Sequence, residues 1–216
     1  MGSMEKNTKR TRKNGFCRWE KAAVAAFLFC ILLQFTSFSA RCSHIEESVL
    51  RMHVLANSDS VEDQTLKRQV RDRVLAESAE LLAQAGDKAQ AEQVIRQQLP
   101  RMQAAAEAEV RRQGYSYPVR AELENCYFPT RKYETVTLPA GRYDALRIEI
   151  GEAGGHNWWC VIFPAMCLPA AQENRELESV LSAEELEMVE DADEYAVAFK
   201  TVEVLEKLRK WLRGSK

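Results

Sequence analysis

The segment Gly151-Glu-Ala-Gly-Gly-His-Asn-Trp-Trp-Cys-Val-Ile-Phe-Pro-Ala-Met-Cys167 holds the chain's densest group of chemically distinctive residues. The nearly continuous apolar run from Trp158 to Phe163 predicts a strand that is covered on both faces. The glycine-rich residues 151–157 predict a loop that joins this strand to the preceding one as a hairpin. Because successive side chains on a strand point to opposite faces, one of the two adjacent tryptophans is expected in the core and the other under a helix or exposed.

The charge of the chain is divided unevenly. Residues 1–39 have a net charge of +5, and the remaining 177 residues carry 23 basic and 30 acidic groups, a net charge of −7. Phosphate binding needs a basic face. The acidic body therefore argues against nucleic acid as the main partner.

The N-terminus has the layout of a targeting segment. A basic region, residues 1–21, precedes the apolar residues 22–39, and Ser37 and Ser39 suit a cleavage site that would free Ala40 onward. An uncleaved membrane anchor is the alternative, although the strongly apolar part is short for a bilayer span. Both readings orient the basic end in the cytoplasm and the body outside it.

Export changes the meaning of the cysteines. Cys42, Cys126, Cys160 and Cys167 would lie outside the cytoplasm, where disulfides form. Four cysteines allow three fully paired connectivities, and the sequence does not select one. A Cys160–Cys167 disulfide is one hypothesis, since a seven-residue separation with Pro164 between them can bring the two Cα atoms into bridging range.

Hydrophobic periodicity divides the body into strands and helices. Strands are predicted at 49–56, 117–125, 142–150, 158–163 and 195–199. Helices are predicted at 60–86, 88–113, 182–189 and 204–212, and Pro100 predicts either a kink in the second helix or two shorter helices with a break before it. The order predicts a single α+β domain, a mainly antiparallel sheet of about five strands with helices on one face, preceded by an N-terminal signal or anchor helix. Residues 45–168 would form the core domain. Residues 169–216 would complete it with an acidic segment, a strand and a C-terminal helix.

Several blocks of residues resemble one known family, that of stage II sporulation protein R. The blocks run in one order over residues 48–168, and they are Leu50-Arg-Met-His-Val-Leu-Ala-Asn-Ser-Asp-Ser60, Asp63-Gln-Thr-Leu-Lys67, Val70-Arg-Asp72, Tyr127-Phe-Pro-Thr130, Tyr133, Leu138-Pro-Ala-Gly-Arg-Tyr143, Ala145-Leu-Arg147, Gly151-Glu152 and Asn157-Trp-Trp-Cys-Val-Ile-Phe-Pro164.

The resemblance implies an intercellular signal of endospore formation. Such a protein is made in the forespore and exported across the forespore membrane to the intermembrane space, where it is secreted or membrane-anchored. There it activates a membrane-embedded aspartic protease of the mother cell, which processes the precursor of sigma factor E. The resemblance implies this protease as the partner, no cofactor, and no enzymatic activity of the signal itself.

Candidate partner-binding residues lie in two separate stretches that we expect to share a surface. They are Arg51, His53, Asn57, Asp59, His156, Asn157, Trp158 and Trp159. Residues 57–60 follow a strand and precede a helix, which is where ligands gather in open α/β sheets. Helix capping alone explains these residues well, and we favour it over a ligand site.

Cys160 and His156 suggest a second hypothesis, a cell-envelope thiol hydrolase or transferase. The histidine would serve as the base, with Glu149 or Asp144 orienting its imidazole. Burial or disulfide bonding of the cysteine is the competing explanation, and we favour it because no further nucleophile motif accompanies the pair. The histidines and cysteines have no metal-ligand spacing, so no metal site is predicted. No catalytic or cofactor-binding residue is predicted either.

Overall fold

The computed structural model describes residues 18–133, 136–166 and 177–214, and the chain divides into two compact units, residues 1–37 and 38–216. The described elements confirm the α+β class. In chain order they are α1 (Arg18–Ser48), β1 (Leu50–Leu55), α2 (Val61–Leu82), α3 (Lys88–Arg112), β2 (Val119–Phe128), β3 (Arg131–Lys132), β4 (Thr137–Leu138), β5 (Gly141–Ile150), β6 (Asn157–Phe163), α4 (Ala183–Glu190) and α5 (Ala196–Gly214).

The main sheet has four strands in the order β2-β5-β1-β6, and β3 and β4 form a separate two-stranded sheet. β1 pairs in parallel with β5 and antiparallel with β6, while β2 and β5 pair antiparallel. The sheet is therefore mixed, with two of its three pairings antiparallel. This is close to the prediction of a mainly antiparallel sheet, with one strand fewer.

The first face of the sheet packs against α2 and α3. Leu50, Met52 and Val54 of β1 lie in one core cluster with α2 residues spaced by four, such as Leu66 and Val70. That spacing places one apolar stripe along the helix, so burial of the stripe fixes the helix on the sheet. The two helices of this layer are the ones that the sequence predicts.

Capping residues set the ends of these helices. The Ser60 side chain accepts a hydrogen bond from the Asp63 backbone N–H (3.1 Å), as expected for an N-cap. Gly114 follows α3 with φ +85°, the left-handed conformation that closes a helix C-terminus. α3 continues through Pro100 as one helix, so the predicted alternative of two shorter helices is wrong, whereas a kink before Pro100 stays a prediction.

The second face of the sheet is also covered by helices, which corrects the prediction of helices on one face. Residues 38–48 of α1, together with α4 and α5, form a second core cluster there, in which Phe38, Ile45, Tyr143 and Phe199 are buried. The physical reason lies in β1, because all six of its residues are buried and a strand buried on both sides needs two covering layers.

The predicted fifth strand, residues 195–199, is wrong. Residues 196–199 form the first turn of α5, in which Phe199 is buried against the Phe38 ring (centroids 5.5 Å) while Val197 stays exposed. Tyr195, Phe199 and Val202 stand at i, i+4 and i+7, all packed on the second core cluster. The helical spacing extends over more residues than the short alternation and decides the structure.

The predicted hairpin between β5 and β6 is also wrong. β1 lies between these two strands in the sheet, so residues 151–156 cross the end of β1 instead of making a tight turn. This crossing places the glycine-rich loop directly over the residues that follow β1. It therefore determines the geometry of the candidate site.

The N-terminal apolar segment forms part of a single helix, as predicted. α1 is long and apolar enough to cross a membrane by length and composition, a test that signal sequences also pass. Cleavage after Ser39 stays a prediction. Residues 169–176 of the predicted C-terminal segment lie outside the described residues, as does Cys167.

Candidate functional site

The crossing loop is bound to the end of β1 by backbone hydrogen bonds. Gly155 N–H donates to Ala56 O (3.0 Å), and Gly154 N–H donates to Asn57 O (3.2 Å). The Asn57 side-chain oxygen accepts from Glu152 N–H (3.0 Å). We call this junction, residues 56–60 with 151–156, the corner.

Two positions of the corner require glycine for steric reasons. Gly151 has φ +59°, and a Cβ there would lie 2.2 Å from the Asn57 side-chain oxygen. At Gly155 a Cβ would lie 2.2 Å from the carbonyl oxygen of Ser58. Side chains at these two positions would push the loop away from the start of α2, so the close approach requires glycine.

A carboxylate in the first turn of α2 accepts several hydrogen bonds from the corner. Buried Asp63 accepts from Asn57 Nδ2 (2.8 Å) and Ser58 Oγ (2.6 Å). Burial by itself would raise the pKa of Asp63, but hydrogen bonds from Ser58, Asn57 and Tyr117 outweigh it and hold the pKa below its usual value. The carboxylate therefore stays ionised and ties the residues before α2 to its first turn.

His156 closes the corner from the loop side. Its backbone N–H and ring Nδ1 both hydrogen-bond to Asp59 Oδ1, and these contacts lower the pKa of that carboxyl. Its carbonyl accepts from Lys67 Nζ (2.7 Å), and burial lowers the pKa of this lysine. The structure thus brings Asn57, Asp59 and His156 together. Their polar groups bond to one another, which agrees with a capping and bracing role.

A second group of candidate residues lies on the second face of the sheet, at the end where β1 and β5 terminate. The strand register aligns His53 with Arg147 of β5 and with Trp159 of β6. Around them several side chains stay exposed or partly exposed. We call this surface the open face, and it comprises Glu124, Arg147, Glu149, Asn157 and Trp159.

The ring of Trp159 on the open face stacks on that of His53. The two rings stack with centroids 3.8 Å apart and planes 14° from parallel. His53 Nε2 donates to Asn157 Oδ1 (2.7 Å), because the amide oxygen can only accept. Burial lowers the pKa of His53, so the imidazole is neutral near pH 7. The stack therefore has one defined tautomer and orientation.

Charged groups border the tryptophan. Arg147 binds Glu124 (2.8 Å) and Glu149 (2.5 Å), and all three side chains are partly exposed. The guanidinium of Arg131 lies 5.7 Å from the Trp159 ring centroid. An aromatic centre with a polar rim is the usual composition of a protein-binding patch.

Arg51 lies beneath this surface and is 0% exposed. Its guanidinium packs 4.1 Å from the Phe128 ring centroid and 4.8 Å from that of Tyr143, and it donates a hydrogen bond to the Tyr133 hydroxyl. Within the described residues, its Nε and Nη1 have no hydrogen-bond partner. Arg51 and His53 are both buried, so neither presents a contact surface. Any part they take in binding is indirect.

Trp158 lies on the opposite face from Trp159, as the strand alternation predicts. Its ring packs on the first core cluster and lies 4.0 Å from the guanidinium of Arg71. Both tryptophans are half-buried, whereas the sequence predicts one fully buried ring. The edge position of β6 explains this difference, since no strand pairs with it on its outer side within the described residues.

The thiol hypothesis gains no support from the geometry. Cys160 is 4% exposed and disulfide-bonded, and its predicted partner Cys167 lies outside the described residues, so that pairing stays a prediction. Extended strand separates Cys160 from His156 by roughly 13 Å at 3.3 Å per residue. Glu149 pairs with Arg147, and Asp144 pairs with Lys88 (2.7 Å). Within the described residues no cluster of three potential metal ligands occurs.

Sequence reasoning missed the charged part of the open face. Glu124 and Arg147 belong to strands whose apolar residues are recognisable, but their own positions look like ordinary solvent-facing ones. The detectable signal is the charge alternation along both strands, in which Arg147 of β5 lies opposite Glu122 of β2 and Glu149 lies opposite Arg120. It identifies a charged ladder but not which end of the ladder the helices leave accessible.

These features define an α+β protein with an N-terminal apolar helix and one partly exposed sheet face built around a stacked tryptophan. The model of the family Stage II sporulation protein R (spore_II_R) matches residues 46–173, and the chain belongs to this family. The family gives the chain a role in sporulation.

Among curated relatives, Stage II sporulation protein R of Bacillus subtilis (strain 168) is 37% identical over 123 residues, which cover 57% of this chain and 55% of that protein. The chain thus spans about half the length of the relative it matches. No solved structure matches the chain. The matched family region contains β1 to β6, and with them the corner and the open face.

Proposed function

We propose that the chain is an exported signal of endospore formation that activates a membrane-embedded aspartic protease by direct binding, which leads to processing of the sigma-E precursor. Membership of the family supports the sporulation part of this proposal. The observation that carries the binding part is the Trp159–His53 stack on the open face.

A half-buried tryptophan in a fixed orientation is suited to anchor a protein partner. It offers a large apolar area, and its ordering has already been achieved by the stack on His53, so binding loses little side-chain entropy. Binding energy in protein interfaces concentrates at such residues. Glu124, Arg147 and Glu149 would supply the polar rim and the orientation of the partner.

The proposed location is the space between the forespore and mother-cell membranes. The basic N-terminal residues followed by an apolar helix support export, and the acidic body is suited to a protein partner rather than to nucleic acid. In this location the body would meet the extracytoplasmic part of the protease. Residues 22–39 would serve as the signal or the anchor.

The decisive experiment compares the two tryptophans. In an endospore-forming host lacking its own family member, expression of the full chain should restore processing of the sigma-E precursor, measured by immunoblot. Trp159→Ala should abolish this processing. Trp158→Ala is the matched control, since Trp158 is also half-buried and also lies against an arginine, but on the other face. Full processing with Trp159→Ala would refute the assignment of the open face.

A pair of charge reversals separates loss of binding from loss of folding. Glu149→Lys alters the open face, and Glu107→Lys alters a glutamate on α3 that is likewise partly exposed and pairs with one arginine (3.7 Å). Both exported variants should accumulate to similar levels. We expect Glu149→Lys to reduce precursor processing and Glu107→Lys to leave it unchanged. Equal processing by the two variants would count against the proposed surface.

A further inference from the structure

The C-terminal helix α5 exposes an apolar face. Its first turns are fixed to the body, where Phe199 is buried in the second core cluster. Along the helix, Val197 is 81% exposed and Trp211 is 68% exposed. The exposed apolar side chains recur at spacings of three, four and seven, and they are Val197, Val204, Leu208, Trp211 and Leu212. They therefore form one stripe along a helix about 28 Å long.

The C-terminal residues 196–216, which include α5, are net basic, unlike the rest of the body. Residues 196–216 contain six Lys or Arg and two Glu, a net charge of +4, whereas residues 40–195 have a net charge of −11. Lys200 and Lys207 both pair with Glu203 (3.1 and 2.7 Å) and both remain mostly exposed. An apolar stripe with tryptophan and leucine, accompanied by basic residues, is the composition of a helix that lies in a membrane interface.

We propose that α5 docks on an anionic lipid surface, with its apolar stripe in the headgroup region and its basic residues at the lipid phosphates. Charge decides between the occupants. The helix α5 contains five Lys or Arg and two Glu, a net charge of +3, so two copies of it would repel each other, whereas an anionic surface attracts it. Tryptophan is the aromatic residue that favours the interface itself. This inference is independent of protease activation, since it needs no contact between the open face and a partner.

The test uses the full chain reconstituted into vesicles of phosphatidylglycerol with brominated acyl chains and, in parallel, of brominated phosphatidylcholine. Bromine quenches tryptophan fluorescence at close range, and comparison with Trp211→Phe isolates the signal of Trp211 from that of the other tryptophans. We expect Trp211 to be quenched in phosphatidylglycerol, and this quenching to be lost in phosphatidylcholine or at high salt. Equal quenching of the full chain and Trp211→Phe in phosphatidylglycerol would overturn the proposal.

Two further variants separate docking from folding. Leu208→Glu places a charge in the apolar stripe and should remove the phosphatidylglycerol-dependent quenching of Trp211. Val61→Glu is the matched control, because Val61 is 77% exposed at the start of another helix, and it should leave this quenching intact. Loss of quenching in both variants would overturn the proposal. Crosslinking of Leu208→Cys into a dimer would also overturn it, because the occupant of the stripe would then be a second copy of the chain.

Discussion

Replacement of Gly155 by alanine tests the steric argument for the corner. The added Cβ would lie 2.2 Å from the Ser58 carbonyl oxygen and 2.5 Å from its carbon, which are backbone atoms just before the N-cap of α2. Relief of this clash requires the loop to move away and weakens the hydrogen bond from Gly155 N–H to Ala56 O. Overpacking costs roughly 1–3 kcal/mol and a lost hydrogen bond about 1 kcal/mol. We therefore expect a loss of about 2–4 kcal/mol in the free energy of unfolding.

The assay is thermal unfolding of the full chain in detergent, followed by circular dichroism. A loss of this size should lower Tm by roughly 5–15 °C for a chain of this length. Gly154→Ala is the matched control, since a Cβ there would meet its nearest atom, Asn57 O, at 3.5 Å, an ordinary contact. Its Tm should change by less than about 2 °C. If Gly154→Ala were as destabilising as Gly155→Ala, the steric explanation would be refuted.

Three other substitutions or modifications test the packing and titration of the body. Phe38→Ala removes a buried ring that contacts Phe199 and should lower the free energy of unfolding by roughly 3 kcal/mol. An unchanged free energy of unfolding in the purified protein would contradict the packing of Phe38 in the second core. Burial lowers the pKa of His53, so the unfolded chain binds a proton first and stability should fall as the pH drops below about 6.5; His53→Phe should flatten this dependence in pH-resolved unfolding curves. Burial, reinforced by Glu124, raises the pKa of Cys126 to about 11, so alkylation of this thiol at pH 8 should be about 100-fold slower than in the denatured chain. Site-resolved mass spectrometry measures the two rates, and equal rates would contradict the burial of Cys126.

Local features of the fold are predictable from the sequence because they depend on neighbouring residues. The period of two in Leu50, Met52 and Val54 identifies β1, and Ser60 and Gly114 mark helix ends by their own hydrogen bonding and conformation. The class of the fold follows from the order of such elements. These predictions need no knowledge of which strands pair.

The topology was not predictable on the same basis. A glycine-rich loop between two antiparallel strands resembles a hairpin, and nothing in residues 151–157 reveals that β1 inserts between the strands. The second helical layer was concealed in a different way. Phe38, Cys42 and Ile45 have helical spacing and are buried in the second core. Phe38 belongs to the predicted targeting segment 22–39, whereas Cys42 and Ile45 lie beyond it, so the predicted boundary divides the pattern that the three residues share.

The loop that crosses the end of β1 joins the corner to the open face through two consecutive residues. His156 is held by Asp59 in the corner, and the next residue, Asn157, hydrogen-bonds His53, which stacks on Trp159. Because β1 pairs with β6, His53 lies directly opposite Trp159. In the observed topology a shift of the loop at His156 must move Asn157 and loosen the support of the tryptophan. The glycines that allow the loop to approach α2 therefore also fix the orientation of the ring that we propose the protease recognises.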